Sequence, residues 1–206
     1  MKTLILDAQY FPSIHIWLGI NDYDKIIFDS GSSFRKMSLR NRCWVAGAEG
    51  SLRLTIPLIG GRDQRKPMHL IQIDHSYPWQ IQHWRTLTAC YNRSPWFEYY
   101  VPSLEILFSN QSTSLVEWNM QCFLWILKQL SLNTKLCSEE KISISNEDET
   151  IVDFRDCTQN YQAHLKKDNI ISYSQVFEDR IGFVDNLSIL DLLFCEGPRA
   201  KKLLMK

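Results

Sequence analysis

The chain has no Gly-x-Ser-x-Gly elbow, no Walker loop, no Gly-x-Gly-x-x-Gly and no His-Glu-x-x-His. Those patterns set a serine on a strained turn, wrap backbone N–H groups around phosphates, or present two imidazoles to zinc from one helix face. Without them, α/β-hydrolase, P-loop, dinucleotide-binding and zincin chemistry lose most of their support. Cys-x-x-Cys pairs are also missing. The six cysteines, at 43, 90, 122, 137, 157 and 195, stand far apart, the usage of reduced, buried thiols in the cytoplasm, so neither zinc nor disulfides are expected. Neither sign of charge dominates: 23 basic residues balance 23 acidic ones, and no helix face repeats the basic ones, so a nucleic-acid partner is not expected. Long hydrophobic runs are lacking too. The longest, residues 115–132, is interrupted by Glu117, Asn119, Gln121, Lys128 and Gln129, which makes it a core helix and not a membrane span. Only Leu4, Ile5 and Leu6 precede Asp7 as an apolar run, too short for a signal peptide, so a cytoplasmic location is expected.

What remains is ordinary for a globular protein, with 45% hydrophobic and 22% charged residues in 206, enough chain to bury a full core. One domain over 1–206 is expected, with a core over about 1–132, a polar seam over about 133–149 and a carboxyl-terminal appendage over about 150–206. The fold class is α/β. Residues 3–7 and 25–29 are short apolar strand signatures flanking a short helix at 14–23, a βαβ-like start. Residues 42–46 and 52–58 are joined by Gly47-Ala48-Glu49-Gly50 and predict a hairpin that buries Leu52, Leu54 and Ile56 on one face; residues 68–74 alternate similarly. A helical middle and a carboxyl-terminal helix complete a mixed-sheet architecture. Helix starts are marked by Ser94-Pro95, by the capping box Ser114-Leu-Val-Glu117, and by the near match Ser188-Ile-Leu-Asp191, where Leu187 and Leu192 form a staple. Gly197-Pro198 ends the last of these.

Residues 77–100 hold three tryptophans, four tyrosines, a histidine and two arginines, a composition a core helix does not need. On a helical wheel over 80–92, Ile81, Trp84, Leu87, Thr88 and Tyr91 share a face, with His83 and Arg85 on opposite edges roughly 160° apart. His83 is the candidate general acid or base, since imidazole titrates near neutrality; an ordinary histidine bonded to a main-chain carbonyl would fit the sequence equally well. Cys90 lies ~10 Å along the axis from His83, too far for direct activation. Residues 30–66 carry eight basic against two acidic side chains, which favours a phosphate or another anionic ligand. Asp74 and His75 are neighbours in a strand-like run and point to opposite faces, so no metal site is assigned.

The chain resembles the WbqC-like family, whose members are often encoded with O-antigen and other surface-polysaccharide genes. The resemblance is carried by Gln9-Tyr10-Phe11-Pro12, Ser38-Leu-Arg40-Asn41-Arg42, Leu54-Thr-Ile-Pro57, Asp74-x-x-x-Pro78-Trp79-x-x-x-His83-Trp84-Arg85, Ala89-x-Tyr91-x-x-x-Pro95-x-Phe97-x-x-Tyr100, and a pattern from Phe183 through Asn186 and Asp191 to Glu196-Gly197. Many members have adjacent glutamine and proline after the first strand, where this chain has Asp7-Ala8; its Trp17-Leu18-Gly19 follows a shifted Ser13-Ile14-His15, which leaves His15 without family support. The resemblance implies an enzyme of sugar modification, transferring an acyl, aminoacyl or other group to an amino or nucleotide sugar. Arg40, Arg42 or Arg85 would then hold a phosphate or carboxylate, Trp79 or Tyr91 would stack on a sugar or base, and His83 would shuttle a proton. The same motifs bring Tyr10, Asn41 and Asp74 into the substrate-binding set. The expected ligand is a nucleotide sugar or other anionic small molecule, no cofactor is named, and homo-oligomerisation is left open. Two alternatives stand beside this one. The order strand, Pro12-Ser13-Ile14-His15, helix, strand is similar to the nucleotidylyltransferase superfamily, and exposed aromatics over residues 96–100 would suit a non-catalytic scaffold subunit.

Overall fold

Two apolar runs that each end in aspartate form the centre of the molecule. In a computed structural model of the chain, which describes residues 1–61, 63–142, 150–155 and 171–205, strand β1 (Lys2–Asp7) pairs in parallel with β2 (Lys25–Asp29), setting Leu4 opposite Ile26 and Asp7 opposite Asp29. Leu4, Leu6, Ile26 and Phe28 enter the main core, while Ile5 and Ile27 are buried on the opposite face. Burial on both faces is the rule for parallel strands and explains why the runs are continuous rather than alternating. The connection contains two 3-10 turns, Ile14–Trp17 and Ile20–Asp22, in place of the expected helix. The Ile14 amide donates instead to the Leu187 carbonyl at 2.9 Å, and Gly19 sits at φ 72° between the turns.

The expected hairpin forms from β3 (Arg42–Gly47) and β4 (Gly50–Thr55) and turns at Ala48-Glu49, with Gly47 opposite Gly50 and Arg42 opposite Thr55. Leu54 and Ile56 are buried as expected, but Leu52 is 43% exposed near the turn. The alternation at 68–74 becomes a 3-10 turn, Met68–Leu70, followed by isolated bridges from Gln72 and Ile73. Three helices follow: α1 (Trp79–Tyr91), α2 (Phe97–Ser109) and α3 (Leu115–Gln129). Helix α2 starts later than Ser94-Pro95 suggests, because the Ser94 hydroxyl donates back to the Tyr91 carbonyl at 2.7 Å and closes the end of α1. Ser114 caps α3 as expected, its hydroxyl accepting from the Glu117 amide at 3.3 Å. Phe123 of α3 stacks on Trp17 with ring centroids 4.4 Å apart and meets Phe28 edge-on at 5.1 Å, packing the helix onto the sheet.

Two further strands lie where the sequence gives little strand signal: β5 (Lys135–Glu139), inside the stretch read as a polar seam, and β6 (Thr150–Asp153). Both are parallel to their neighbours, giving the order β5-β2-β1-β6. Helices α4 (Glu178–Ile181), α5 (Ile189–Glu196) and α6 (Arg199–Leu204) complete the chain. Ser188 caps α5 by accepting from the Leu190 amide at 3.3 Å. Its hydroxyl also donates to the Phe11 carbonyl at 2.9 Å, tying α5 to the loop after β1. Asp191 is not the reciprocal member of a capping box. It is fully buried, accepting at 2.6 Å from both the Tyr91 and Tyr173 hydroxyls.

Candidate functional site

The strand order places a reversal beside β1. The chain runs from β1 outward to β2 and β5, then returns to the other side of β1 with β6. In parallel α/β sheets ligands bind outside the carboxyl ends of the strands at such a switch point, because the loops there diverge and leave a crevice. Four carboxylates stand along that edge. Asp7, Asp29 and Glu139 align in register on β1, β2 and β5, and Asp153 ends β6.

Two guanidinium groups meet three of them, and Lys25 pairs with Glu139 at 3.2 Å. Arg40 Nη2 donates to Asp7 at 2.6 Å, with both side chains 3% exposed or less. Arg155 donates to Asp29 at 2.6 Å and to Asp153 at 2.5 Å. Neighbouring strands are ~4.8 Å apart, so the strands of Asp29 and Asp153, which flank β1, are separated by ~10 Å. Arg155 therefore bridges the two strands that flank β1. Its side chain is 37% exposed, so it faces solvent. Hydrogen bonds from Arg155 are the first reason that the Asp153 carboxyl sits below its ordinary range, keeping it ionised at neutral pH.

Three polar atoms at this edge are buried without a hydrogen-bond partner among the described residues: Nε and Nη1 of Arg40 and Oε1 of Gln9. Leaving a buried polar group unpaired costs about 1–3 kcal/mol, a cost carried here by atoms closed off from solvent. The loops that deliver them are stitched tightly. The Asn119 side chain of α3 donates to the Ala8 carbonyl at 3.0 Å and to the Arg40 carbonyl at 2.7 Å, and the Tyr10 amide donates to the Leu39 carbonyl at 3.2 Å. Phe11, the next residue, takes φ 39° although it is not glycine; such strain persists where surrounding contacts fix the backbone, often at functional loops.

Of the residues picked from sequence, Tyr10, Trp79 and His83 come together. Tyr10 Oη and His83 Nδ1 are 3.0 Å apart, and Trp79 meets His83 edge-on with ring centroids 5.2 Å apart. All three are buried. Burial pushes the His83 imidazole down to about 4, against a smaller upward pull from a hydrogen bond to the Thr55 main chain. That bond uses the imidazole N–H, so the other ring nitrogen accepts from the Tyr10 hydroxyl and His83 is neutral at pH 7. On α1 the buried side is Trp79, His83, Leu87, Cys90 and Tyr91, while Ile81 is 53% exposed; the buried face is rotated toward His83 relative to the sequence reading. Arg85 is exposed on the far side of that helix, as the wheel requires.

The rest of the set is divided between roles. Asn41 donates to the Ile56 carbonyl at 2.9 Å, holding the loop before the hairpin. Arg42 is 9% exposed, with Nη1 3.3 Å from the Met37 sulfur. Asp74 accepts from the Ser76 amide at 2.9 Å and closes a turn. Tyr91 bridges Asp191 and the Ala46 amide, at 2.6 and 2.8 Å. His15 follows no α-helix amino terminus; it lies in a four-residue 3-10 turn, its amide donating to Asn186 at 3.0 Å and its ring 3.8 Å from Asp185. Asp29, Asp153, Arg155 and the acidic role of Asp7 are absent from the sequence reading. The signal was an aspartate closing each of three short strands, Leu-Ile-Leu-Asp7, Ile-Ile-Phe-Asp29 and Thr-Ile-Val-Asp153.

The profile of the WbqC-like protein family matches residues 7–172. Asp7, Gln9, Asp29, Arg40, Asp153 and Arg155 all fall within it, whereas the pattern from Phe183 to Gly197 lies beyond its end. No curated protein and no solved structure matches the chain.

Proposed function

Because the chain belongs to the WbqC-like family, we propose that it is an enzyme of O-antigen or surface-polysaccharide biosynthesis, transferring an acyl, aminoacyl or similar group onto an amino or nucleotide sugar at the carboxyl edge of its parallel sheet. The observation that carries this reading is Arg155 bridging the ends of β2 and β6, on either side of the strand that ends in the buried Asp7–Arg40 pair. An ionised, half-exposed Asp153 suits the ammonium or hydroxyl groups of an amino sugar, and the Arg155 guanidinium suits a carboxylate or phosphate on the same molecule. Arg40, buried and neutralised by Asp7, holds the end of β1 and leaves contact with the substrate to the more exposed Asp153 and Arg155.

In this reading His83 is a positioning residue. Buried, neutral and bonded to Tyr10, it holds the loop that follows β1 while the half-exposed Asp153 and Arg155 at the edge deal with the substrate. The scaffold alternative keeps one favouring observation, the exposure of Trp96 at 36% and Tyr99 at 65% on the surface of the α2 start. The test of the proposal is genetic and chemical. Deleting the gene and analysing the host polysaccharide by mass spectrometry is expected to reveal loss of one substituent, restored by the wild-type gene but not by one carrying Arg155→Gln. Restoration by the Arg155→Gln gene, or a polysaccharide unchanged by the deletion, contradicts it.

A further inference from the structure

An open cavity has none of the residues of the Arg40–Arg155 edge in its lining. It holds about 530 Å³ and is lined by Ser33, Phe34, Arg35, Lys36, Asp63, Gln64 and Arg65. Its volume falls within the range of small-molecule sites, roughly 300–1,000 Å³. One wall, residues 33–36, is the loop that leaves the carboxyl end of β2; the other is the loop that leaves the hairpin. The walls are fixed against each other. The Phe34 amide donates to the Lys66 carbonyl at 2.8 Å, the Met68 amide donates to the Ser32 carbonyl at 2.9 Å, and Ser33 and Pro67 form an antiparallel bridge. Gln64 braces the second wall from within, its side-chain amide donating to the Ile59 and Gly61 carbonyls at 3.1 and 2.8 Å.

The lining chemistry selects the occupant. Arg35, Lys36 and Arg65 bring three cationic heads to one carboxylate, Asp63, which pairs with Lys36 at 3.0 Å. The lining as a whole carries more cations than anions, set on a preformed backbone, which cuts the ordering cost of binding. The one ring in the lining, Phe34, is 3% exposed and so gives no stacking platform for a nucleobase. A ligand that matches is compact, carries at least two negative charges, and presents several acceptor oxygens to guanidinium forks.

We propose that this cavity binds the diphosphate of the substrate. This rests on the reading above in placing the sugar at the carboxyl edge of the sheet, from which the loop carrying Arg35 and Lys36 leaves, and it assigns the diphosphate to Arg35, Lys36 and Arg65. The diphosphate belongs to either a nucleoside or an isoprenoid carrier.

The probe is inorganic pyrophosphate, titrated calorimetrically into the full-length protein and into a variant with Arg35→Gln, Lys36→Gln and Arg65→Gln. The three side chains are exposed, so the variant is expected to melt at the wild-type temperature; single Arg65→Gln gives the same ordering with a smaller loss should the triple variant melt lower. Pyrophosphate is expected to bind the wild type and to lose at least about tenfold in affinity in the triple variant. Raising the salt from about 0.05 M to about 0.3 M should weaken the wild type alone. Uridine diphosphate and farnesyl diphosphate then tell the two carriers apart. Equal affinity for pyrophosphate in both proteins, or none in either, overturns the proposal. A nucleotide sugar that binds both proteins equally also removes the diphosphate site and leaves the carboxyl-edge reading standing. Pyrophosphate binding lost in the triple variant, in a protein that binds no sugar substrate, leaves the cavity assignment and removes the reading.

Discussion

At the scale of single residues, His83 shows how burial changes the meaning of a side chain. Its sequence neighbourhood suits acid–base work, but a ring 6% exposed, between Tyr10 and the Thr55 main chain, is held neutral. The fold lowers its proton affinity to about 4, from an ordinary value of about 6.5. The unfolded chain therefore binds the extra proton more readily. This contribution to stability is fully present above about pH 6.5 and is lost as the pH falls through about 4, amounting to roughly 3 kcal/mol. Urea midpoints measured from pH 7 to pH 4 should fall in the wild type, and fall less in His83→Gln. An imidazole titration by NMR with a midpoint near 6.5 would contradict the burial account. The sequence could single out His83, Tyr10 and Trp79, since their types are unusual where they stand. It could not show Arg155 as a clasp, because one arginine in a polar stretch looks like any solvated charge until β6 is placed beside β1.

Elements were legible where a local signal sufficed. Ser114 and Ser188 cap α3 and α5 as their sequences require, and the Gly47–Gly50 hairpin forms, because caps and tight turns depend on a few adjacent residues. Elements that depend on distant partners were not. β5 is Lys-Leu-Cys-Ser-Glu, a polar edge strand that depends on its pairing with β2 and on α3 for support, and the 14–17 turn is shaped by Leu187, far along the chain. The stop after α5 combines both kinds of cause. Gly197 takes φ 54° and ψ −130°, and a Cβ there would lie 2.2 Å from the Trp96 ring. Gly197→Ala combines a disfavoured backbone with an overlap, so it should destabilise the protein by about 2–4 kcal/mol, read as a lower urea midpoint. A midpoint equal to the wild type would show that the junction of α2 and α5 yields more easily than its packing suggests.

On the scale of the whole molecule, the order β5-β2-β1-β6 brings together residues that the sequence spreads widely. Asp7 and Arg40 come from its first fifth, Asp153 and Arg155 from its final third, and the sheet alone makes them neighbours. Buried bonds hold that arrangement from the other end of the chain, with Asp191 tying α1, the Tyr173 segment and α5 into one core. The carboxyl-edge site is therefore a product of topology, and the local aromatic segment supports it from behind. Its most direct test is calorimetric titration of the wild type and Arg155→Gln with a panel of nucleotide sugars and amino sugars. The account predicts that at least one of them binds the wild type and that Arg155→Gln, at a partly exposed side chain, weakens it by about tenfold or more. Equal affinity in the two proteins for every sugar that binds would contradict it.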